Sequence, residues 1–158
     1  MLLAKKLKNK AAHYPHLSRL VLHKDETFGW NHTACAIYYN PTAGGAEYYL
    51  LHEFGHAVLQ HSDFSHDIDL LKMERAAWEE AKKIGDSYGI TIPEDAIEDA
   101  LDTYRDWLHN RSACPTCAAT GIQVAPFTYQ CTACHSQWRV NEARTCSLRR
   151  YPIKKRSN

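Results

Sequence analysis

The order of apolar and polar positions along the chain predicts a short helix, a strand-rich stretch, three longer helices and a terminal segment of different texture. Residues 2 to 12 read as a basic helix that ends near His13 to Pro15. Ser18 to His23 alternates weakly, Thr33 to Tyr39 is rich in strand formers, and Phe28 to Trp30 offers a third strand with Asn31-His32 as a turn. Asn40 to Gly45 is loop chemistry, and a helix follows from about Glu47 to Gln60. The next helix spans about Ile68 to Tyr88 and stops at Gly89. Pro93, followed by Glu94 and Asp95, opens another, with Ile97, Ala100, Leu101, Tyr104, Trp107 and Leu108 as its apolar positions. From Ser112 the chain turns to Cys, Thr, Gly and short strand-like runs, which marks a small second module.

Length and composition narrow the class. At 158 residues, 44% hydrophobic and 23% charged, the chain reads as a soluble globular protein of about one ordinary domain. No run approaches the roughly 18 apolar residues of a membrane span. The lysines at positions 5, 6 and 8 interrupt any signal-peptide core, so a cytoplasmic protein with no membrane partner is expected. The formal net charge of +1 hides an uneven distribution. Residues 1 to 24 carry six bases and no acid, residues 62 to 109 carry thirteen acids against five bases, and residues 139 to 158 carry seven bases against Glu142. This predicts an acidic solvated helical face between basic ends. In a reducing compartment the six cysteines are expected as metal ligands or thiols rather than disulfides.

The strongest chemical signal is His52-Glu53-Phe54-Gly55-His56. Histidines at i and i+4 share one helix face, and the apolar residues around them make that helix a buried one. Two imidazoles can therefore grip one Zn²⁺. Glu53 lies about 100° round the helix, where a carboxylate reaches water at the metal without being a ligand, the position of a general base. A catalytic zinc usually takes a third protein ligand. On the second long helix Glu74 falls inside the stripe of Leu70, Ala77, Ala81, Ile84 and Tyr88, whereas Glu79 points away and Glu80 sits at the flank. A carboxylate on a core face is expensive unless it is paired or coordinates a metal, which makes Glu74 the expected third ligand. His61, near the end of the first site helix, and His66, in a polar turn, are the alternatives.

These residues resemble a known family. His-Glu-Phe-Gly-His, a polar stretch and then Glu74-Arg75-Ala76-Ala77-Trp78-Glu79-Glu80-Ala81 are similar to the ImmA/IrrE-type zinc metallopeptidases, over residues 28 to 90. The chain departs from the family's pattern at Ala76 and Glu80 and has no visible helix-turn-helix partner domain. The resemblance implies a gluzincin-like site that cuts a protein substrate, commonly a regulator of a mobile element.

The second module holds Cys114-Pro-Thr-Cys117 and, after thirteen intervening residues, Cys131-Thr-Ala-Cys134. Paired CxxC turns joined by a hairpin over Gly121 to Tyr129 predict a zinc ribbon, whose closed four-thiolate site makes that zinc structural. Cys131 to His135 also matches a haem c attachment motif, which would leave the first CxxC unexplained. Cys35 reads as a small hydrophobe in a strand, and Cys146 falls in the basic tail. Phe127, Tyr129 and Trp138 beside Arg139, Arg144, Arg149, Arg150, Lys154, Lys155 and Arg156 suit nucleic-acid stacking and phosphate contact, and the same aromatics equally suit the module's own core.

The whole reads as an α+β protein: a zincin-like metallopeptidase domain over 1–110, a zinc ribbon over 111–141 and a basic C-terminal tail over 142–158. It would carry one catalytic and one structural Zn²⁺, with the strand near Ala34 to Tyr39 offering an edge to an extended substrate. Two rivals are a SprT-like DNA-associated protease, which resembles a three-histidine site, and a non-catalytic zinc-ribbon regulator that binds nucleic acid or protein.

Overall fold

The computed structural model describes residues 2–144 and 146–153, and these form an α+β structure. They gather into two compact units, one of residues 2–63 and 72–97 and the other of residues 64–71, 98–144 and 146–153.

In the first unit, helix α1 (Leu2–Ala11) buries Leu3, Ala4, Leu7 and Ala11, which recur on one face, and leaves Lys5, Lys6 and Lys8 in solvent. A single 3-10 turn (Pro15–Leu17) leads to β1 (Val21–Lys24), β2 (Gly29–Asn31) and β3 (Ala36–Tyr39). The sheet order is β1-β3-β2, with β1 parallel and β2 antiparallel to β3. The strand expected from Thr33 therefore starts later, and for a local reason. The Asn31 side chain accepts the Ala34 N–H at 2.9 Å, and Cys35 adopts a left-handed φ of 48°, so the chain is still turning. Cys35 is half-buried in that turn rather than inside a strand. Because β3 is the middle strand, residues 34–39 offer no free edge, and β2 is the edge strand on that side.

Helix α2 (Ala46–Val58) packs on β3 and β2 and buries Leu50, Leu51, His52, Phe54, Gly55, His56 and Ala57. Helix α3 (Asp67–Asp86) and helix α4 (Glu94–Ser112) follow, the latter opened by Pro93 as the sequence predicts. Buried Trp78, Ala81 and Ile84 from α3 join the first unit's core of Leu7, Leu20, Ile37, Leu50, Leu51 and Phe54.

In the second unit β4 (Gly121–Ala125), β5 (Thr128–Cys131), β6 (Gln137–Val140) and β7 (Arg150–Ile153) form an antiparallel meander. Its core is Cys114, Tyr129, Cys131, Trp138 and Val140. Arg150–Ile153, expected as tail, supplies the fourth strand by pairing with β6. Beside the core lies an ion pair that the sequence did not disclose. The Arg111 guanidinium donates to Asp67 at 2.6 Å with both side chains buried, and the Tyr129 hydroxyl donates to the same carboxylate at 2.5 Å. Among the described residues, no helix is long and apolar enough to cross a membrane.

Candidate metal centres

The first candidate centre follows from how α2 and α3 meet. An added Cβ at Gly55 would collide with the Ala77 carbonyl oxygen and lie 3.3 Å from the Ala77 Cα, so only glycine lets the two backbones come this close. Ala77 is one turn beyond Glu74. The close approach therefore delivers the Glu74 carboxylate to the face of α2 that carries His52 and His56.

The three donors converge. His52 Nε2 and His56 Nε2 lie 3.0 Å apart, and Glu74 Oε2 is 3.1 Å from the first and 3.5 Å from the second. A tetrahedral ion bound at about 2.0–2.2 Å holds its ligand atoms roughly 3.3–3.6 Å apart, so one cation fits among these three with shifts of a few tenths of an ångström. All three side chains are buried. A buried carboxylate between two facing imidazole nitrogens is the arrangement expected of a cation site. Burial alone would raise the Glu74 carboxyl, but the His52 and His56 imidazoles beside it outweigh burial and hold that group well below the usual carboxylate range. Burial lowers the His52 imidazole, which favours the neutral, ligating form.

Each histidine is braced differently. His56 Nδ1 faces His61 Nδ1 at 2.9 Å. His52 Nδ1 has no hydrogen-bond partner among the described residues, and its ring instead stacks on Trp78, centroids 4.1 Å apart. Glu53 stands outside the donor set, as expected from its place on the helix. Burial pushes its carboxyl up to about 7, opposed by His56 and by the nearby Trp30 backbone N–H and reinforced by the Glu74 carboxylate.

The alternatives for third donor are elsewhere or otherwise engaged. His61 is turned to the far nitrogen of His56, and His66 is exposed in its turn, 3.1 Å from Ser65 Oγ and 3.9 Å from Asp69 Oδ2. The contacts of His61 and Trp78 were not legible in the sequence. Neither stands in a motif with the histidine it touches.

The second candidate centre joins Cys114, Cys117, Cys131 and Cys134. Cys114 and Cys134 sulfurs are 3.7 Å apart and those of Cys117 and Cys131 3.5 Å, close to the roughly 3.8 Å that four thiolates at about 2.3 Å from one ion impose. The two CxxC turns repeat each other. Cys114 N–H donates to Ala119 O at 2.9 Å and Cys131 N–H to Ser136 O at 2.8 Å, while Ala118 and His135, each just after the second cysteine, take left-handed φ values of 62° and 58°. Backbone N–H groups of Thr116, Ala133 and Cys134 point at Cys114 or Cys131 sulfur at 3.3–3.4 Å.

The aromatics of this unit are placed mainly inside. Tyr129 and Trp138 are buried and stacked 5.7 Å apart, so two of the three rings offered for base stacking are core, and only Phe127 is exposed. Arg144 lies over the Tyr104 ring at 3.9 Å, and Arg150 donates to Ala113 O. Lys154, Lys155 and Arg156 of the basic tail lie outside the described residues. Compared with known proteins, the chain matches no family model, no curated protein and no solved structure.

Proposed function

We propose that the protein is a zinc metallopeptidase of the ImmA/IrrE-like, gluzincin type, with a zincin-like core and a zinc ribbon, that acts on a protein substrate. The observation that carries the reading is the convergence of His52, His56 and Glu74, with Glu53 beside them and outside the donor set. Glu74 as the third donor favours this reading over the three-histidine, SprT-like one. In the ribbon, four thiolates with no position left over suit a structural zinc. A zinc held by His52, His56 and Glu74 would supply Lewis acidity for activating water near neutral pH and for polarising a scissile carbonyl. Glu53 accepts the proton of the attacking water and returns it to the departing amine. Edge strand β2 gives an extended peptide a place to pair, in the role first expected of residues 34–39.

The test is Glu53→Gln against wild type, both zinc-loaded, on a peptide library read by mass spectrometry. The variant should keep both metals and lose cleavage by about 10²-fold or more. Cleavage at the wild-type rate would remove Glu53 from the mechanism.

A further inference from the structure

We propose that His61 is a positioning residue for the metal centre: it accepts the Nδ1 proton of His56 and so keeps the His56 Nε2 lone pair aimed at the ion. This rests on the reading of His52, His56 and Glu74 as a metal site. Two imidazole nitrogens 2.9 Å apart must be one donor and one acceptor, because two protons or two lone pairs would repel. With an ion bound among His56 Nε2, His52 Nε2 and Glu74 Oε2, both Nε2 lone pairs turn to the metal and no proton is needed between those two atoms, so the His56 lone pair belongs at that point. A neutral imidazole with a free Nε2 carries its proton on Nδ1. His56 is therefore the donor and His61 the acceptor, with the His61 proton on Nε2. The opposite assignment would put a proton where the ion binds.

The backbone places His61 for this task. After α2 the chain reverses through a Schellman turn, with His61 N–H donating to His56 O at 3.0 Å and Gln60 N–H to Ala57 O at 3.2 Å. Gln60 holds a left-handed φ of 56° there, a conformation that costs a residue with a side chain about 1 kcal/mol. The Trp30 indole N–H donates to the His61 carbonyl at 2.8 Å, pinning the turn to the edge strand. The strained residue, the cap and the indole hydrogen bond all fix the backbone from which that imidazole projects. Partners of this kind around a metal-binding histidine set its tautomer, and their loss typically costs 10- to 100-fold in affinity.

The experiment compares zinc titrations of the full chain, against a competing chelator, for wild type, His61→Leu, His61→Asn and Glu74→Ala. Leu and Asn have the same size, but only Asn puts an acceptor oxygen where His61 Nδ1 stands. His61→Leu should weaken the core site by about 10- to 100-fold and His61→Asn should recover most of the loss. The imidazole ¹⁵N spectrum of the zinc-loaded wild type should show His56 protonated at Nδ1. Retained metal at the four cysteines and an unchanged circular dichroism spectrum report an intact fold. Equal affinity in Leu and Asn variants, whether unchanged or equally reduced, or a His56 proton on Nε2, would overturn the proposal. Loss of affinity in Glu74→Ala with none in His61→Leu would overturn it alone, whereas no loss in Glu74→Ala would overturn the metal site on which it rests.

Discussion

Trp78 lies against the face of His52, with ring planes inclined by only 26° and the indole almost fully buried. The packing takes the place of a hydrogen bond, since neither His52 Nδ1 nor Trp78 Nε1 has a partner among the described residues. An aromatic pair of this kind is worth about 0.5–1.5 kcal/mol beyond the area it buries. Trp78→Phe should keep the brace, because the indole N–H makes no bond that would be lost. Trp78→Leu should weaken metal binding at the core site by about two- to tenfold relative to Trp78→Phe, the same energy expressed as affinity. Equal affinities for the two variants in a zinc titration would show that the stack does not orient His52.

Gly55→Ala should disturb both stability and the centre. The added methyl meets the Ala77 carbonyl, and overpacking of this kind costs about 1–3 kcal/mol. Because Glu74 is one turn away on the displaced helix, core metal affinity should fall along with the melting temperature. A lower melting temperature with unchanged affinity would separate the helix contact from the placement of Glu74.

Glu74→Ala should lower core zinc affinity by orders of magnitude, whereas His66→Ala should leave it near the wild-type value. Glu74 faces both histidines, and His66 belongs to an exposed turn. Full occupancy in the first variant with loss in the second would instead favour the three-histidine reading.

Elemental analysis of the purified chain should give two zinc equivalents, one for each convergent donor set. The four-thiolate zinc should survive mild chelation that strips the three-donor site, since a site with a position left for water exchanges more readily. One equivalent or fewer would contradict the assignment of two centres.

In the second unit Asp67→Ala should cost about 3–5 kcal/mol, because the buried Arg111 guanidinium would lose its counter-charge. Tyr129→Phe should cost only about 1 kcal/mol, the net worth of one hydrogen bond. Denaturant unfolding of the two variants measures the difference. Equal losses would mean that packing rather than charge pairing sets the role of Asp67.

The sequence by itself determined the helices and both donor sets. Helical periodicity marked α2, α3 and α4, the i and i+4 histidines had to share a face, and Glu74 stood out as a carboxylate within an apolar stripe. Two CxxC turns around a hairpin brought four sulfurs together because their spacing is short and each turn is local. Tertiary structure alone decided which strand lies at the sheet edge, since β1 and β3 pair parallel across an intervening segment and no local signal encodes that order. It alone also decided that Tyr129 and Trp138 are interior, that Asp67 neutralises Arg111 forty-four positions along the chain, and that His61 returns to His56. The turn that brings His61 back contains Gln60 in a left-handed conformation where glycine is the usual marker, so composition concealed it. Periodicity and short spacing are properties of a few consecutive residues and survive in a one-dimensional reading. Pairing order, burial of an ion pair and the tautomer of an imidazole depend on which surfaces meet, and only the packed chain brings them together.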